Sequence, residues 1–274
     1  MILVPLLLLF AAPAEDTADT IMARVAENQD RAEKMRSSFL YHQTVLVRMN
    51  HTNGKLAREE YSEYNVFPDE HGNRRERTRF DGKYVQKGKT VEYHDPAEAK
   101  DHVHIDIDGE VVSDLGDELT GAKTRDGIAR DLFPLTASEQ RNYKFHLEGR
   151  EDYRGTSVFR ITFEPQKEDG EDGRMWAGEA LIDVNEYQPV LITTHQAFKI
   201  PLVVKTVLGT NVEHMGFKLT YKKFDDGLWF PVIYGGELRV RALFFYARRI
   251  GISMQNKDFQ RASASSSITY KPVQ

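Results

Sequence analysis

Hydrophobic and polar residues alternate along most of the chain after residue 39. Alternate positions are apolar in FLYHQTVLVRM (39–49), KFHLEGR (144–150), VFRITFEP (158–165) and GFKLTYKKF (216–224). A period of two, with one solvent-exposed and one buried face in each run, is typical of strands in an antiparallel sheet. These runs therefore predict a sheet that is covered on one side and exposed to water on the other.

Residues that favour tight turns separate the strand-like runs at short intervals. The pairs are Asn53-Gly54, Asp81-Gly82, Lys87-Gly88, Asp108-Gly109, Gly155-Thr156, Asn185-Glu186 and Asp226-Gly227. Their spacing predicts roughly eleven to thirteen strands joined as consecutive hairpins. Because strands and helices do not alternate, a doubly wound parallel sheet is not expected. We predict one domain over residues 15–274.

Three segments have a helical rather than a strand-like pattern. In EDTADTIMARVAENQDRAEKMRSSF (15–39), apolar residues recur every three to four positions, and Asp16 or Thr17 can cap the helix. Asn28 interrupts that stripe, which indicates a helix resting on a surface. The insert TRDGIARDLFPL (124–135) predicts a short helix that carries Ile128, Leu132 and Phe133 and stops at Pro134. The insert PLVVKTVLGTN (201–211) is apolar almost all round and is interpreted as a core connector or as a lid over something apolar.

The N-terminus carries an apolar run, MILVPLLLLF, followed by small residues and then by Glu15 and Asp16. The run is shorter than the roughly 20 residues of a membrane-spanning helix. It predicts an export signal over residues 1–14, cleaved after Ala14. The chain contains no cysteine, so it has neither disulfides nor thiolate ligands. A cysteine-free exported chain favours a bacterial periplasm.

Charge and motifs give little support for catalysis. The formal net charge is −5 with acidic and basic residues well mixed, unlike the basic surface of a nucleic-acid-binding protein. The stretch HVHIDID (102–108) offers the strongest candidate metal ligands: His102, His104, Asp106 and Asp108. On a strand, however, these side chains lie roughly 6.5–7 Å apart, so one ion reaches only two of them. We predict no catalytic residue, no metal and no cofactor.

Three stretches carry a resemblance to a known family: FDGKYVQKGKTVEYHDP (80–96), FHLEGREDYRGTSVFRITFEP (145–165) and GEALIDVNEYQPVLITTHQAF (178–198). The first resembles the hairpin segment of LolA-type periplasmic lipoprotein carriers. The other two resemble later strand pairs of LolA-like and RseB-like lipoprotein-sorting proteins. The resemblance spans most of residues 17–240, while the strand-like runs 243–255 and 265–272 extend beyond a typical carrier.

The resemblance implies a mostly β, α+β fold. Its single strongly curved antiparallel sheet forms an incomplete barrel, with the N-terminal helix and short helices plugging the concave face. It also implies a periplasmic protein that binds the acyl chains of lipoproteins or another lipid during outer-membrane lipoprotein sorting. An inner-membrane transporter and an outer-membrane acceptor are the implied partners. The alternatives are an envelope-stress or protein-interaction sensor on the same fold and, more remotely, a metal-dependent hydrolase using the 102–108 residues.

The predicted ligand cavity is lined by apolar residues of the first strand, the two inserts and a late strand. An arginine early in the sheet is a functional position in LolA carriers, and Arg48 is its possible counterpart here. The predicted cavity residues are Phe39, Val45, Val47, Arg48, Leu132, Phe133, Leu202, Val203 and Trp229. For each apolar member the alternative is an ordinary position in a packed core.

Overall fold

The fold is dominated by one open antiparallel sheet of eleven strands, in the order β4-β3-β2-β1-β11-β10-β9-β8-β7-β6-β5. The computed structural model describes residues 16–69, 72–98, 106–120, 133–166, 176–196, 210–224, 227–242 and 246–262. Strands β4 and β5 form the two edges, and the first and last described strands, β1 and β11, pair in the middle. The predicted fold class, mostly β with an antiparallel sheet not closed into a barrel, is confirmed.

The strands are β1 Phe39–His51, β2 Leu56–Asp69, β3 Gly72–Gln86, β4 Lys89–Tyr93, β5 Tyr143–Tyr153, β6 Thr156–Pro165, β7 Trp176–Asp183, β8 Pro189–Gln196, β9 Thr210–Lys223, β10 Trp229–Ala242 and β11 Tyr246–Arg261. The described helices are α1 Ala18–Arg36, α2 Ile107–Thr120 and the single turn α3 Ala137–Gln140.

The sequence period decides which face of each strand is buried. Alternate residues of β1 from Phe39 to Met49 are buried, and their neighbours are half-buried or exposed. Strands β6 and β9 follow the predicted alternation in the same way. Edge strand β5 departs from it, because Leu147 remains 37% exposed. A side chain on an edge strand has a neighbouring strand on one side only, so less of it is covered.

Most of the predicted turns are confirmed, and two are wrong. The turns at 53–54, 87–88, 155–156 and 185–186 lie where consecutive strands meet, and so does Gly227 of the predicted pair 226–227, while Asp226 lies outside the described residues. Asp81-Gly82 instead lies inside β3, paired on both sides, and Asp108-Gly109 lies in the first turn of α2. In both cases tertiary contacts, described below, outweigh the local turn preference of an Asp-Gly pair.

Helix α1 begins at a capping box, in which Thr17 accepts a hydrogen bond from the backbone of Thr20. Its apolar stripe is buried as predicted, except that Met35 is 45% exposed. Asn28, which interrupts the stripe, donates to the backbone oxygen of Glu186 at 2.8 Å in the turn between β7 and β8. The polar interruption therefore attaches the helix to the sheet.

Helix α2 contributes Val111, Val112 and Leu115 to the main core, which joins it to α1 and to residues of strands across the sheet. Of the two predicted apolar inserts, residues 121–132 and 201–209 lie outside the described residues, as do residues 1–15 and the run 265–272. None of the described helices combines the length and the apolar character of a membrane-spanning segment.

Candidate functional site

The candidate site is the helix-covered face of the sheet. Its core is aromatic: Phe217 stacks on Tyr234 with ring centroids 5.4 Å apart, and Trp176 meets Phe217 edge-on at 5.2 Å. Gly236 lies directly opposite Phe217 in the ladder, and a Cβ added there would be 2.2 Å from the Phe217 ring. Only glycine lets this ring lie flat across the neighbouring strand.

The predicted cavity residues are divided between two clusters and two faces. Val45, Val47, Phe133 and Trp229 belong to the main core and are each 2–8% exposed. Phe39 lies in a separate cluster with Ala32, Leu228 and Phe230, beneath the C-terminal part of α1. The three remaining apolar members, Leu132, Leu202 and Val203, lie outside the described residues.

Arg48 does not share the apolar face with Val45 and Val47. It points to the opposite face, away from the described helices, as the period of two requires, and its guanidinium binds Glu59 at 2.5 and 2.6 Å. Lys83 binds the same carboxylate at 2.6 Å. Burial alone would raise the pKa of Glu59, but the hydrogen bonds from Lys83 and Arg48 lower it. Arg48 therefore belongs to a cross-strand ladder of charges.

A different arginine, Arg58 of β2, reaches the helix-covered face. It is 3% exposed and donates to Asp106 at 2.6 Å and to Glu60 at 3.1 Å. Asp106 caps α2, because its other oxygen accepts from the backbone of Gly109 at 2.9 Å. Burial alone would lower the pKa of Arg58, but Tyr93, Asp106 and Glu60 raise it. The ion pair thus fastens the start of α2 to β2.

A second ion pair fastens the same helix to β11. Arg248 donates to both oxygens of Asp108, at 3.0 and 3.2 Å, and the Tyr246 hydroxyl donates to Asp108 at 2.8 Å. Burial and the adjacent carboxylate raise the pKa of Tyr246, so its hydroxyl keeps its proton. We call the pairs Arg58–Asp106 and Arg248–Asp108 the helix latch.

A cleft of about 240 Å³ opens beside the latch, between β2, β3, the start of α2 and β11. Arg58, Tyr84, Asp106, Asp108 and Arg248 contribute to its wall. Asp108 and Arg248 are 22% and 17% exposed beside this cleft, whereas Arg58 is only 3% exposed. When the latch separates, Arg58 retains Glu60 as a partner at 3.1 Å, so its buried charge is not left unpaired.

Tyr93 links the latch to the edge of the sheet. Its ring crosses Gly82, where an added Cβ would lie 2.2 Å from a ring carbon, and its hydroxyl donates to Glu60 at 2.6 Å. Glu60, Gly82 and Tyr93 occupy opposing positions on β2, β3 and β4. Burial raises the pKa of both Glu60 and Tyr93. Gly82 is therefore a packing position rather than a turn.

The metal-site hypothesis for residues 102–108 is not supported by the positions of its aspartates. Asp106 caps a helix and Asp108 lies within it, so the strand interpretation is wrong for these two residues. Their carboxylates bind different arginines, while His102 and His104 lie outside the described residues. Among the side chains that the structure describes, no three His, Asp or Glu residues come together as metal ligands.

Sequence reasoning missed the latch because Arg58 and Glu60 look like ordinary solvent-facing residues. The available signal was register: Arg58 is opposite Met49 and Glu60 is opposite Val47, both on the buried face of β1. Arg58 and Glu60, which carry opposite charges two residues apart on β2, therefore both point to the buried face. Recognising this requires the pairing of β1 with β2, which the sequence pattern leaves undetermined.

The fold is similar to solved structures over most of its length, at low sequence identity. A LolA-superfamily protein from Nitrosomonas europaea is 11% identical with a TM-score of 0.36, covering 92% of this chain and 96% of that one. A DUF1329-family protein from Desulfovibrio piger is 13% identical, with a TM-score of 0.39 and coverages of 92% and 96%. A domain described as an outer membrane lipoprotein-sorting protein, from Vibrio parahaemolyticus, is 10% identical, with a TM-score of 0.40 and coverages of 91% and 95%.

No family model matches the chain, and no curated protein matches its sequence. The similar solved structures nevertheless include the family that the sequence resembles. At these identities and TM-scores the likeness carries nothing about ligand or activity.

Proposed function

We propose that this protein is a periplasmic binding protein for acyl chains, which enter the helix-covered face when α2 moves away from the sheet. The observation that carries the proposal is the helix latch. Helix α2 packs against the buried faces of β1 and β2, yet two ion pairs beside a solvent-accessible cleft hold its N-terminus in place. A cover attached in this way separates from the sheet at one end without unfolding it.

The energy of such an opening is comparable with what an acyl chain supplies. Moving α2 exposes Val111, Val112 and Leu115, at a cost of about 1.5–3 kcal/mol for each side chain. A sixteen-carbon chain gains on the order of 10 kcal/mol when it leaves water, at about 0.8 kcal/mol for each methylene. Binding can therefore offset the exposed helix residues and part of the latch.

In the proposed closed form, Val45, Val47, Phe133 and Trp229 are core residues, and they line the ligand only after opening. Each of them is therefore a packed-core residue in the closed form and a cavity residue in the open form, which are the two alternatives that the sequence left open. Leu132, Leu202 and Val203 are proposed to contact the same ligand. Exchange of lipoproteins with an inner-membrane transporter and an outer-membrane acceptor is the carrier role that the sequence resemblance implies. No catalytic step is part of the proposal.

Lipid extraction is the direct test of the binding function. The protein is purified without detergent and extracted with organic solvent, and the extract is analysed by mass spectrometry. We expect a stoichiometric acyl-chain lipid, or saturable uptake of a fluorescent fatty acid by the extracted protein. Clean extracts together with no uptake would refute the proposal.

Spin labels test the proposed motion of α2. The chain contains no cysteine, so labels can be attached uniquely at Ser113→Cys, an exposed site on α2, and Arg31→Cys, an exposed site on α1. We expect the distance between the labels to change when the fatty acid binds. A matched pair on the sheet, Lys218→Cys with Arg31→Cys, should keep its distance. If neither pair responds to a bound ligand, α2 is not the moving part.

A further inference from the structure

Two buried hydrogen-bond donors beside the helix latch are left unused. They are the Nε–H of Arg58 and the hydroxyl of Tyr84, and neither has a hydrogen-bond partner among the described residues. The two side chains are directly opposite in the β2–β3 ladder, which places their Cβ atoms about 4.5–5.5 Å apart. Both line the cleft of about 240 Å³. Because most buried polar groups in proteins are paired, two unused donors at one place indicate a binding function.

The unused donor of Arg58 belongs to the edge of the guanidinium that already holds a carboxylate. Nε and Nη2 donate in parallel along this edge, an arrangement that binds both oxygens of one carboxylate. In the closed form Asp106 fills only half of the edge. One of its oxygens accepts from Nη2 at 2.6 Å, and the other accepts from the backbone of Gly109 at 2.9 Å. Nε remains unused because the second oxygen of Asp106 caps α2.

Groups on the sheet hold this guanidinium in place independently of α2. Its Cζ atom lies 5.5 Å from the ring centroids of both Tyr84 and Tyr93, and Nη1 donates to Glu60 at 3.1 Å. The first turn of α2 covers the guanidinium, since a Cβ added at Gly109 would lie 2.4 Å from Nη1. Movement of α2 away from the sheet therefore uncovers Arg58 and leaves its Nε–Nη2 edge without a carboxylate.

We infer that this edge and the Tyr84 hydroxyl bind the carboxylate of a free fatty acid, whose chain enters the face that α2 uncovers. The inference rests on the proposed opening of α2 and names the preferred ligand of that site, a free acid over an ester-linked acyl chain. The ligand carboxylate replaces that of Asp106 and, with no helix to cap, places both oxygens on Nε and Nη2. Tyr84 supplies a third donor. An ester offers these donors only an uncharged carbonyl oxygen, which forms weaker hydrogen bonds.

The variant Tyr84→Phe separates binding from folding, because it removes only the hydroxyl group. The ring beside Arg58 remains, and a buried hydroxyl without a partner costs free energy in the closed form. We therefore expect Tyr84→Phe to have an unchanged or higher melting temperature. The matched control is Tyr61→Phe on β2. It removes a hydroxyl that donates to Glu63 at 2.8 Å on the opposite face of the sheet.

The probes are a fatty acid with a fluorophore at its methyl end and the methyl ester of the same molecule, each titrated into the lipid-free full chain. We expect the wild type to bind the acid at least about tenfold more tightly than the ester. Tyr84→Phe should weaken binding of the acid at least about tenfold and leave binding of the ester unchanged. Tyr61→Phe should bind both probes as the wild type does. Asp106→Ser, which acts on the opening of α2, should change the affinity for both probes by the same factor.

Equal affinity of the wild type for the acid and the ester would overturn the inference and leave the proposed acyl-chain function standing. An equal loss of affinity for both probes in Tyr84→Phe would show that this tyrosine acts through packing, and would also overturn the inference. So would tighter binding of a lysophosphatidic acid with the same labelled chain than of the fatty acid, because a phosphate would then be the preferred group at Arg58. If the wild type binds neither probe, the proposed function fails and the inference fails with it.

Discussion

Replacing Asp106 by serine opens one half of the helix latch while keeping the helix cap. The Asp106 carboxylate has two tasks: one oxygen accepts from the backbone of Gly109, and the other accepts from Arg58 at 2.6 Å. Serine is also a good N-cap residue, but its hydroxyl is too short to reach the guanidinium. Arg58 retains Glu60 at 3.1 Å, so the variant does not leave an isolated buried charge.

The size of the effect follows from the burial of the pair. Arg58 is 3% and Asp106 is 15% exposed, so solvent screens the interaction much less than at a surface site. A hydrogen bond to a charged group contributes about 1.5–3 kcal/mol. The ion pair forms only when α2 is closed, so its removal destabilises the closed form by this energy. The ratio of open to closed protein therefore rises about 10- to 150-fold. The apparent dissociation constant for an acyl ligand falls by the same factor while the open fraction remains small.

The assay is a titration of the lipid-free protein with a fluorescent fatty acid, at constant ionic strength. Asp16→Ser is the matched control, because it removes an exposed ion pair to Arg150 that is worth only about 0–1 kcal/mol. We expect tighter binding in Asp106→Ser and no change in the control. Wild-type or weaker binding in Asp106→Ser, with α2 still folded, would refute the role of α2 as a cover that opens.

Two further predictions concern the row of residues beside the latch. Gly82→Ala should lower the unfolding free energy by about 1–3 kcal/mol, because the new methyl group displaces the Tyr93 ring. The control in the same urea titration is Gly251→Ala, whose added methyl group meets no neighbour. Equal stability of the two variants would contradict the packing argument. The pKa of Glu60 is raised in the folded chain, so its carboxyl group keeps a proton to a higher pH there than in the unfolded chain. The contribution of Glu60 to the unfolding free energy therefore falls as pH rises from the ordinary glutamate range through the raised pKa. Relative to wild type, Glu60→Gln should therefore gain stability across that window, and a difference that stays flat or shrinks with rising pH would contradict the burial of this carboxyl.

The sequence determined the elements of this protein that depend on local pattern. A period of two determines which face of β1, β6 and β9 is buried, because successive side chains on a strand point to opposite sides. Short turns between the runs required consecutive hairpins, and a capped stripe of apolar residues required α1. The same local reasoning failed at Asp81-Gly82 and Asp108-Gly109, where an Asp-Gly pair has the composition of a turn but a different environment.

Only the tertiary structure decided which polar residues act together. Arg58 and Asp106 are 48 positions apart in the chain, and Arg248 and Asp108 are separated by 140; no periodicity connects them. Gly82 and Gly236 are fixed by rings that arrive from adjacent strands. These features depend on strand register, which is set by long-range packing of the whole sheet rather than by any one segment.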